Sequence, residues 1–451
     1  SIDVLKDASS TAIYGVRGAN GVIIVTTKRA KSGQLSVNYN GNLSIAQEVH
    51  APQQYNATEF LDWFSRAYSY NPAKAPISDV YASMPKLVTA DGKPLYDVDY
   101  NKAILQNNLS QKHYLTILGS SEKTRQSLSV GYGNEQGLIK KSYYKNYTAR
   151  YTSEIDLNKS ITVGGELGYS TNSGNTLNSQ TTIGAGIIRA AGEAFPVLPL
   201  RYPDGSYSHD IDFYNLWGNI NPLEALEESS NVVKNDQFLG GIHANLKLAK
   251  GLQFRSNFLT RINNNSEYLN QPGRAWNTTG NTSIRGGRTT YWQFDNFLTY
   301  DKYFGNDHLI NFTLGSSISD AVTDSYGLSV SQTQGNLLSY YNIGGNSIDP
   351  TLQRIASNYI KQTTNSYFAR INYSYLDRYL LTFTSRYDGA SVFGQNNKYA
   401  IFPSGALGWI ISKEDLFSTN SAISFLKLRG SYGTTGNSAI QPYSTLKLLN
   451  T

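Results

Sequence analysis

Apolar and polar residues alternate along most of the chain with a period of two, in stretches of about ten residues, as strands with one apolar and one polar face require. Thirteen such stretches are predicted, at 34–47, 112–120, 124–134, 143–157, 160–172, 235–249, 251–264, 291–303, 307–321, 364–376, 378–388, 401–413 and 423–434. In 364–376, Tyr367, Ala369, Ile371, Tyr373 and Tyr375 share one face, and Arg370, Asn372 and Ser374 share the other. In 251–264, Leu252, Phe254, Phe258 and Ile262 oppose Gln253, Arg255, Asn257 and Arg261. A face that repeatedly takes Arg, Lys and Asn does not fit a dry sandwich core, where each unpaired charge costs several kcal/mol. Water on that face and lipid on the other removes the conflict.

An ordinary antiparallel sheet over a soluble core gives the same alternation, so the connections must discriminate. They alternate in length. Short ones include Ser121-Glu122-Lys123, Asn158-Lys159, Lys250, Phe304-Gly305-Asn306 and Asp377. Long ones, rich in Gly, Asn, Ser and Pro, cover 48–111, 135–142, 173–234, 265–290, 322–363 and 389–400. Outer-membrane barrels sort turns and loops to opposite ends in this way, and a soluble sandwich has no reason to. The expected fold is therefore all-β, a transmembrane antiparallel β-barrel. Thirteen strands are an odd number, and an open edge in lipid leaves backbone groups unpaired. More strands are expected beyond Thr451, or pairing for the open edge from elsewhere.

Composition agrees. Of 451 residues only 16% are charged, while aromatics reach 12%, led by 34 Tyr, whose rings suit the border between water and an apolar phase. The absence of Cys excludes disulfides, thiolate metal sites and cysteine nucleophiles. No run approaches the length of a membrane-spanning helix. The net charge of +6 is spread thinly, without the basic block that nucleic-acid binding needs. The single Met is Met84, so Ser1 is not a natural start, and an internal or processed chain is expected.

The first thirty residues break the rhythm. A short strand-like run, Ile2 to Leu5, leads to one helical turn ending near Tyr14, a glycine-rich loop from Gly15 to Gly21, and a buried strand from Val22 to Thr27. A phosphate loop would end in Gly-Lys-Ser/Thr and open a helix, whereas this loop opens a strand. Ile2-Asp3-Val4-Leu5-Lys6-Asp7-Ala8-Ser9, Ala12-Ile13-Tyr14-Gly15 and Arg17-Gly18-Ala19-Asn20-Gly21-Val22-Ile23 closely resemble the end of the plug domain of SusC/RagA-type TonB-dependent outer-membrane transporters. Downstream, Arg386-Tyr387-Asp388-Gly389-Ala390-Ser391, Phe402-Pro403-Ser404, Leu407-Gly408-Trp409 and Leu426 to Gly433 resemble barrel strands of the same family.

The resemblance implies a barrel of about 22 strands closed by a plug, of which residues 1–30 are the C-terminal part of the plug and 31–451 the N-terminal portion of the barrel. It implies TonB-dependent import of large nutrients, oligosaccharides or peptides, across the bacterial cell outer membrane. Implied partners are a SusD-like surface lipoprotein, the TonB-ExbB-ExbD complex and outer-membrane lipid. A passive porin or adhesin shares the barrel pattern without a plug, and a soluble β-rich carbohydrate-binding protein shares only the loop aromatics.

The plug-motif residues Lys6, Asp7, Tyr14, Gly15, Arg17, Gly18 and Gly21 are candidates for backbone geometry and gating, with Lys6, Asp7 and Arg17 read either as a plug–wall charge network or as static ion pairs. In the long loops, Trp63, Tyr202, Tyr207, Trp217 and Trp276 are candidate substrate or lid contacts, self-packing of the loops being the equal alternative. Trp292 and Trp409 fit interfacial girdles. Residues 58–68 read as a helix with Phe60, Trp63, Phe64 and Ala67 on one face. No metal site is expected: the five histidines share no ligand spacing, and Asp97-Val98-Asp99-Tyr100-Asn101 lacks the glycine and twelfth-position Glu of a calcium loop. No cofactor motif or nucleophile–base signature is present, so a non-enzyme is expected.

Overall fold

Strand follows strand in one antiparallel ladder, each hydrogen-bonded to its neighbour in the chain. The computed structural model describes residues 2–6, 11, 18, 21–26, 33, 35–48, 53–70, 74–176, 186–214, 221–271, 280–331, 339–344, 351, 353–414, 417 and 423–445. A 13-stranded sheet runs in unbroken chain order. Its strands are β3 (Leu35–Ser44), β4 (Ser110–Ser120), β5 (Thr124–Gln136), β6 (Tyr143–Asp156), β7 (Ile161–Asn175), β8 (Ser230–Ala249), β9 (Leu252–Gln271), β10 (Asn281–Phe304), β11 (His308–Ser331), β12 (Gln353–Tyr375), β13 (Tyr379–Ala390), β14 (Tyr399–Ile410) and β15 (Lys427–Gly433). β3 and β15 are its two edges. A separate hairpin precedes it, β1 (Ile2–Leu5) on β2 (Val22–Val25), paired Ile2 to Val25.

Each of the thirteen strands predicted by alternation has its counterpart, and the register stacks the faces as the alternation requires, whereas the strand expected to be buried, here β2, has Ile23 and Val25 exposed. Val37, Ile117, Leu128, Tyr151 and Leu167 lie side by side across β3 to β7. These apolar residues are in large part exposed, Val37 at 61% and Leu167 at 56%. One position along, Asn38, Thr116, Ser129 and Arg150 form the polar row of the opposite face. A sheet that exposes its apolar face and keeps Arg and Asn on the other is built for lipid outside and water within.

Two predicted long loops are largely strand. Residues 265–290 contribute the ends of β9 and β10, and 322–363 the ends of β11 and β12, with Asn265 paired to Gly287 and Thr323 to Ile360. The reason is local. Asn263-Asn264-Asn265-Ser266-Glu267 has no apolar face because water reaches both sides there, so period-two hydrophobicity vanishes while the backbone ladder continues.

At the turn end, connections stay tight. Leu376 and Asp377 both adopt positive φ, 51° and 53°, the two-residue turn whose twist matches the flanking strands. Gly251 (φ 80°) closes the β8–β9 turn, where a Cβ would collide with the carbonyl oxygen of Asp301.

At the loop end, segments between β3 and β4 and between β7 and β8 form a helical lobe. It contains α1 (Ala57–Ser69), α2 (Ile77–Ala82), α3 (Tyr100–Ile104), α4 (Ile187–Glu193) and α5 (Pro222–Glu228). Asn56 and Glu59 make a reciprocal capping box at the start of α1, both bonds 2.9 Å. Asn221 caps α5, with Pro222 in its first turn. Ala57, Phe60, Leu61, Phe64 and Tyr68 of α1 bury against Tyr81, Met84, Leu87, Val197, Leu198 and Phe213. This corrects the predicted face of α1. Trp63 and Ala67 stay exposed while Leu61 and Tyr68 turn inward, because Phe213 and Tyr214 arrive from far along the chain and meet Phe64 edge-on, at 4.9 and 5.7 Å between ring centroids. A second cluster of Tyr100, Ile104, Ala191 and Leu226 joins α3, α4 and α5.

Candidate functional site: the polar wall and the lobe at its mouth

The polar face carries two distinct surfaces. Across β10 to β13 one lateral row reads Phe297, Gly315, Phe368, Arg386. Gly315 is required there, since a Cβ would collide with the Phe368 ring. The Arg386 guanidinium stacks 5.2 Å from the Phe368 ring centre and donates to Asp388 from the same strand. Both charges are buried, at 4% and 0% exposure. These are two residues of the downstream family-like motif, and its Tyr387 points the other way, stacked 4.9 Å from Tyr399.

Across β5 to β9 the wall is open and charged. Arg125 donates to Glu154 at 3.2 Å and to Asp156 at 3.0 Å, and Arg150 pairs with Glu166. Sequence reading missed these pairs. Alternation gives each residue its face, but only strand register says which residues become neighbours.

At the turn end, the Glu414 carboxylate accepts from Trp409 Nε1 at 2.8 Å and Arg378 Nη1 at 2.6 Å. Bonds from Trp409, then Tyr379, then Arg378 hold its pKa down to about 2. Trp409 is 39% exposed on the apolar face, the place expected of a girdle residue.

In the lobe, the acidic run that lacks calcium-loop spacing serves the backbone. Asp97 accepts from Ala57 N at 2.8 Å and Asp99 from Lys102 N at 3.0 Å. The Tyr100 hydroxyl, facing the carbonyls of Leu198 and Pro199 at 3.3 Å, has its pKa pushed up to about 12 by burial. Tyr202 donates to Asp212 at 3.0 Å, and Tyr207 donates to Glu227 at 2.7 Å beneath the Arg201 guanidinium, 3.9 Å from its ring centre. Both tyrosines thus have their hydroxyls engaged within the lobe. Trp63 is 48% exposed on α1. An apolar cavity of about 680 Å³ lies between the rim of β5 to β7 and α4, lined by Ile139, Tyr143, Tyr144 and Ile187 among others.

Of the predicted plug-motif residues, Lys6 is exposed beside β1, and Gly18 O accepts from Gly21 N at 3.0 Å. Gly21 has φ 87°, and a Cβ there would come within 3.1 Å of Leu5 O, so its requirement is one of backbone geometry. Asp7, Tyr14, Gly15, Arg17, Trp217 and Trp276 lie outside the described residues. Among the described residues no group of three His, Cys, Asp or Glu is placed to hold a metal.

An apolar belt backed by a watered, ion-paired face and fringed at one end by a folded lobe defines the wall of a membrane β-barrel. Comparison with known proteins makes this specific. The family model for the TonB dependent receptor-like β-barrel matches residues 190–446, and the chain belongs to that family. The TonB-dependent receptor P3 of Formosa agariphila is 32% identical over 464 residues, covering 99% of this chain and 43% of the relative. TonB-dependent receptor SusC of Bacteroides thetaiotaomicron is 28% identical, covering 98% and 43%. The chain thus spans less than half the length of these curated relatives. Among solved structures, the RagAB peptide importer in its open-open state superposes with a TM-score of 0.77 at 23% identity, covering 98% of this chain and 51% of that one, a likeness of fold.

Proposed function

We propose that the chain is the first part of the wall of an energised nutrient importer of the bacterial outer membrane, with residues 1–30 as the end of its plug and 31–451 as barrel. The observation that carries this is the ladder itself, thirteen strands in chain order with apolar residues outward and ionic rows inward, preceded by a hairpin outside that ladder. Such a wall performs no covalent chemistry. It supplies a water-lined bore, and a plug supplies the part that TonB, driven by ExbB and ExbD, pulls on from the periplasm.

The lobe faces the outside in this reading, and its exposed Trp63 is available to a SusD-like lipoprotein or to solute. The family match and the SusC-named relative support TonB dependence. The fold shared with a peptide importer supports solutes of oligosaccharide or peptide size. The test is uptake of fluorescent oligosaccharides and peptides by cells carrying the complete receptor, with and without TonB. Uptake is expected to stop without TonB, and uptake that persists would make the barrel a passive pore.

A further inference from the structure

The open part of the wall contains a recess in which one arginine stands outside the ion pairs. Register stacks Arg125, Glu154, Gly164, His243 and Asn257 in one row of the polar face, with Asp156, Thr162, Asn245 and Arg255 in the next row toward the turns. Toward the loops follow Ser127, Thr152, Glu166, Gly241 and Leu259. Gly164 and Gly241 leave the middle of this patch empty. A Cβ on Gly164 would collide with the His243 imidazole, and one on Gly241 would come within 3.1 Å of Glu166 Cγ. The result is a cavity of about 340 Å³ in the wall, ringed by Arg125, Arg150, Glu154, Glu166, His243 and Arg255.

The acids of this ring are already engaged. Glu154 and Asp156 are bound by Arg125, Glu166 is bound by Arg150, and His243 Nε2 stands 3.9 Å from Glu154. The next carboxylate by register, Asp295 on β10, accepts twice from Gln293 Nε2 at 2.8 and 2.7 Å. Arg255 differs from its neighbours. Its Nε donates to Asn257 Oδ1 at 2.8 Å, and among the described residues no carboxylate lies within ion-pair distance of it. Arg255 is exposed and lines the cavity. A planar guanidinium with its fork unfilled, beside a cavity whose other cations are satisfied, has the geometry that a carboxylate fills with two parallel bonds.

We propose that this recess is a carboxylate-binding subsite of the bore and that Arg255 is the residue that reads the carboxylate. The group has two possible sources, a solute passing through the bore or an acidic side chain of the receptor's own plug. Arg125 and Arg150 hold the rim in shape, while Asn257 orients Arg255 through its Nε. The proposal deepens the import reading, because a bore-side subsite matters only where the bore carries solute or holds a plug.

The test uses the complete receptor purified in detergent and needs neither TonB nor uptake, so its outcome is separate from that of the import reading. Binding of N-acetylglutamate and of its neutral isostere N-acetylglutamine is measured by calorimetry on wild type, Arg255→Gln and Arg255→Lys. Hydrogen exchange is followed over residues 1–30 in the same proteins. If the carboxylate belongs to solute, wild type prefers the acid about tenfold, Arg255→Gln abolishes the preference and Arg255→Lys restores part of it. If it belongs to the plug, wild type shows no preference, and Arg255→Gln speeds exchange within residues 1–30 while Arg255→Lys does so less. No preference in wild type together with unchanged exchange in Arg255→Gln overturns the proposal. Should Arg255→Gln fail to assemble, the acid-against-amide comparison on wild type and Arg255→Lys still decides it: equal binding of acid and amide in both, with the same exchange in both, overturns it.

Discussion

The wall and the lobe use large apolar residues in opposite ways. In the lobe, Phe213 and Leu87 are 0% and 1% exposed and pack against other side chains. In the wall, Ile242 and Leu167 are 65% and 56% exposed. The lobe is ordered as a water-soluble domain is, by removing apolar surface from water. The wall relies on lipid for that, and its internal order comes from backbone ladders and from ion pairs on the wet face. One chain therefore folds against two solvents, and a given substitution should be severe in one region and mild in the other.

The sharpest test of that contrast is Phe213→Ala. Truncating a fully buried ring should cost the lobe about 3–5 kcal/mol, seen as faster hydrogen exchange in α1 while the ladder from β8 to β12 keeps its protection. Loss of protection in both would mean that lobe and wall fold as one unit. Next in size is a pair on β12. Ile371, on the apolar face between Phe312 and Phe383, should tolerate Arg poorly, at about 2–4 kcal/mol near mid-depth, with reduced assembly in heat-modifiability gels. Asn372→Arg, on the polar face beside Asn311 and Thr382, should assemble nearly normally. Equal damage at both sites would contradict the two-solvent picture.

Alkali and acid separate the regions further. Burial raises the Tyr100 pKa to about 12, above an unfolded value of about 10, so its contribution is complete below pH 10. That contribution is lost as pH rises through 12, weakening the lobe by about 2–3 kcal/mol. Near-ultraviolet melts of wild type and Tyr100→Phe should diverge over that range, and parallel curves would remove Tyr100 from the account. Glu414, at a turn of the wall, has its pKa lowered to about 2. Its bonds to Trp409 and Arg378 are complete above the ordinary carboxylate range and are lost as pH falls toward 2. The effect is the smallest of the set, because the site is only partly buried, and Trp409 fluorescence compared between wild type and Glu414→Gln should report it.

Strand number, strand order and facing were legible in the chain because period-two alternation is a local property: Tyr367, Ile371 and Tyr375 share a side whatever else the molecule does. The family was legible too, from the motifs at its two ends. The extent of β9 to β12 beyond the bilayer was not, since residues wet on both faces carry no alternation. The lobe was legible as one helix and a folded loop, and the helix face only in part: Phe60 and Phe64 are buried as expected, while Trp63 and Ala67 are not, because Phe213 and Tyr214 choose that face from far along the chain.

What the sequence determined by itself is which side of the wall each residue takes, since Cβ direction in a strand depends on nothing beyond the count of residues. Adjacency, by contrast, follows from how the strands pair in the folded ladder. Register set Arg150 against Glu166 and left Arg255 at the cavity with no ion-pair partner among the described residues, and a shift of one residue between β6 and β7 would have dissolved the first arrangement, one between β8 and β9 the second.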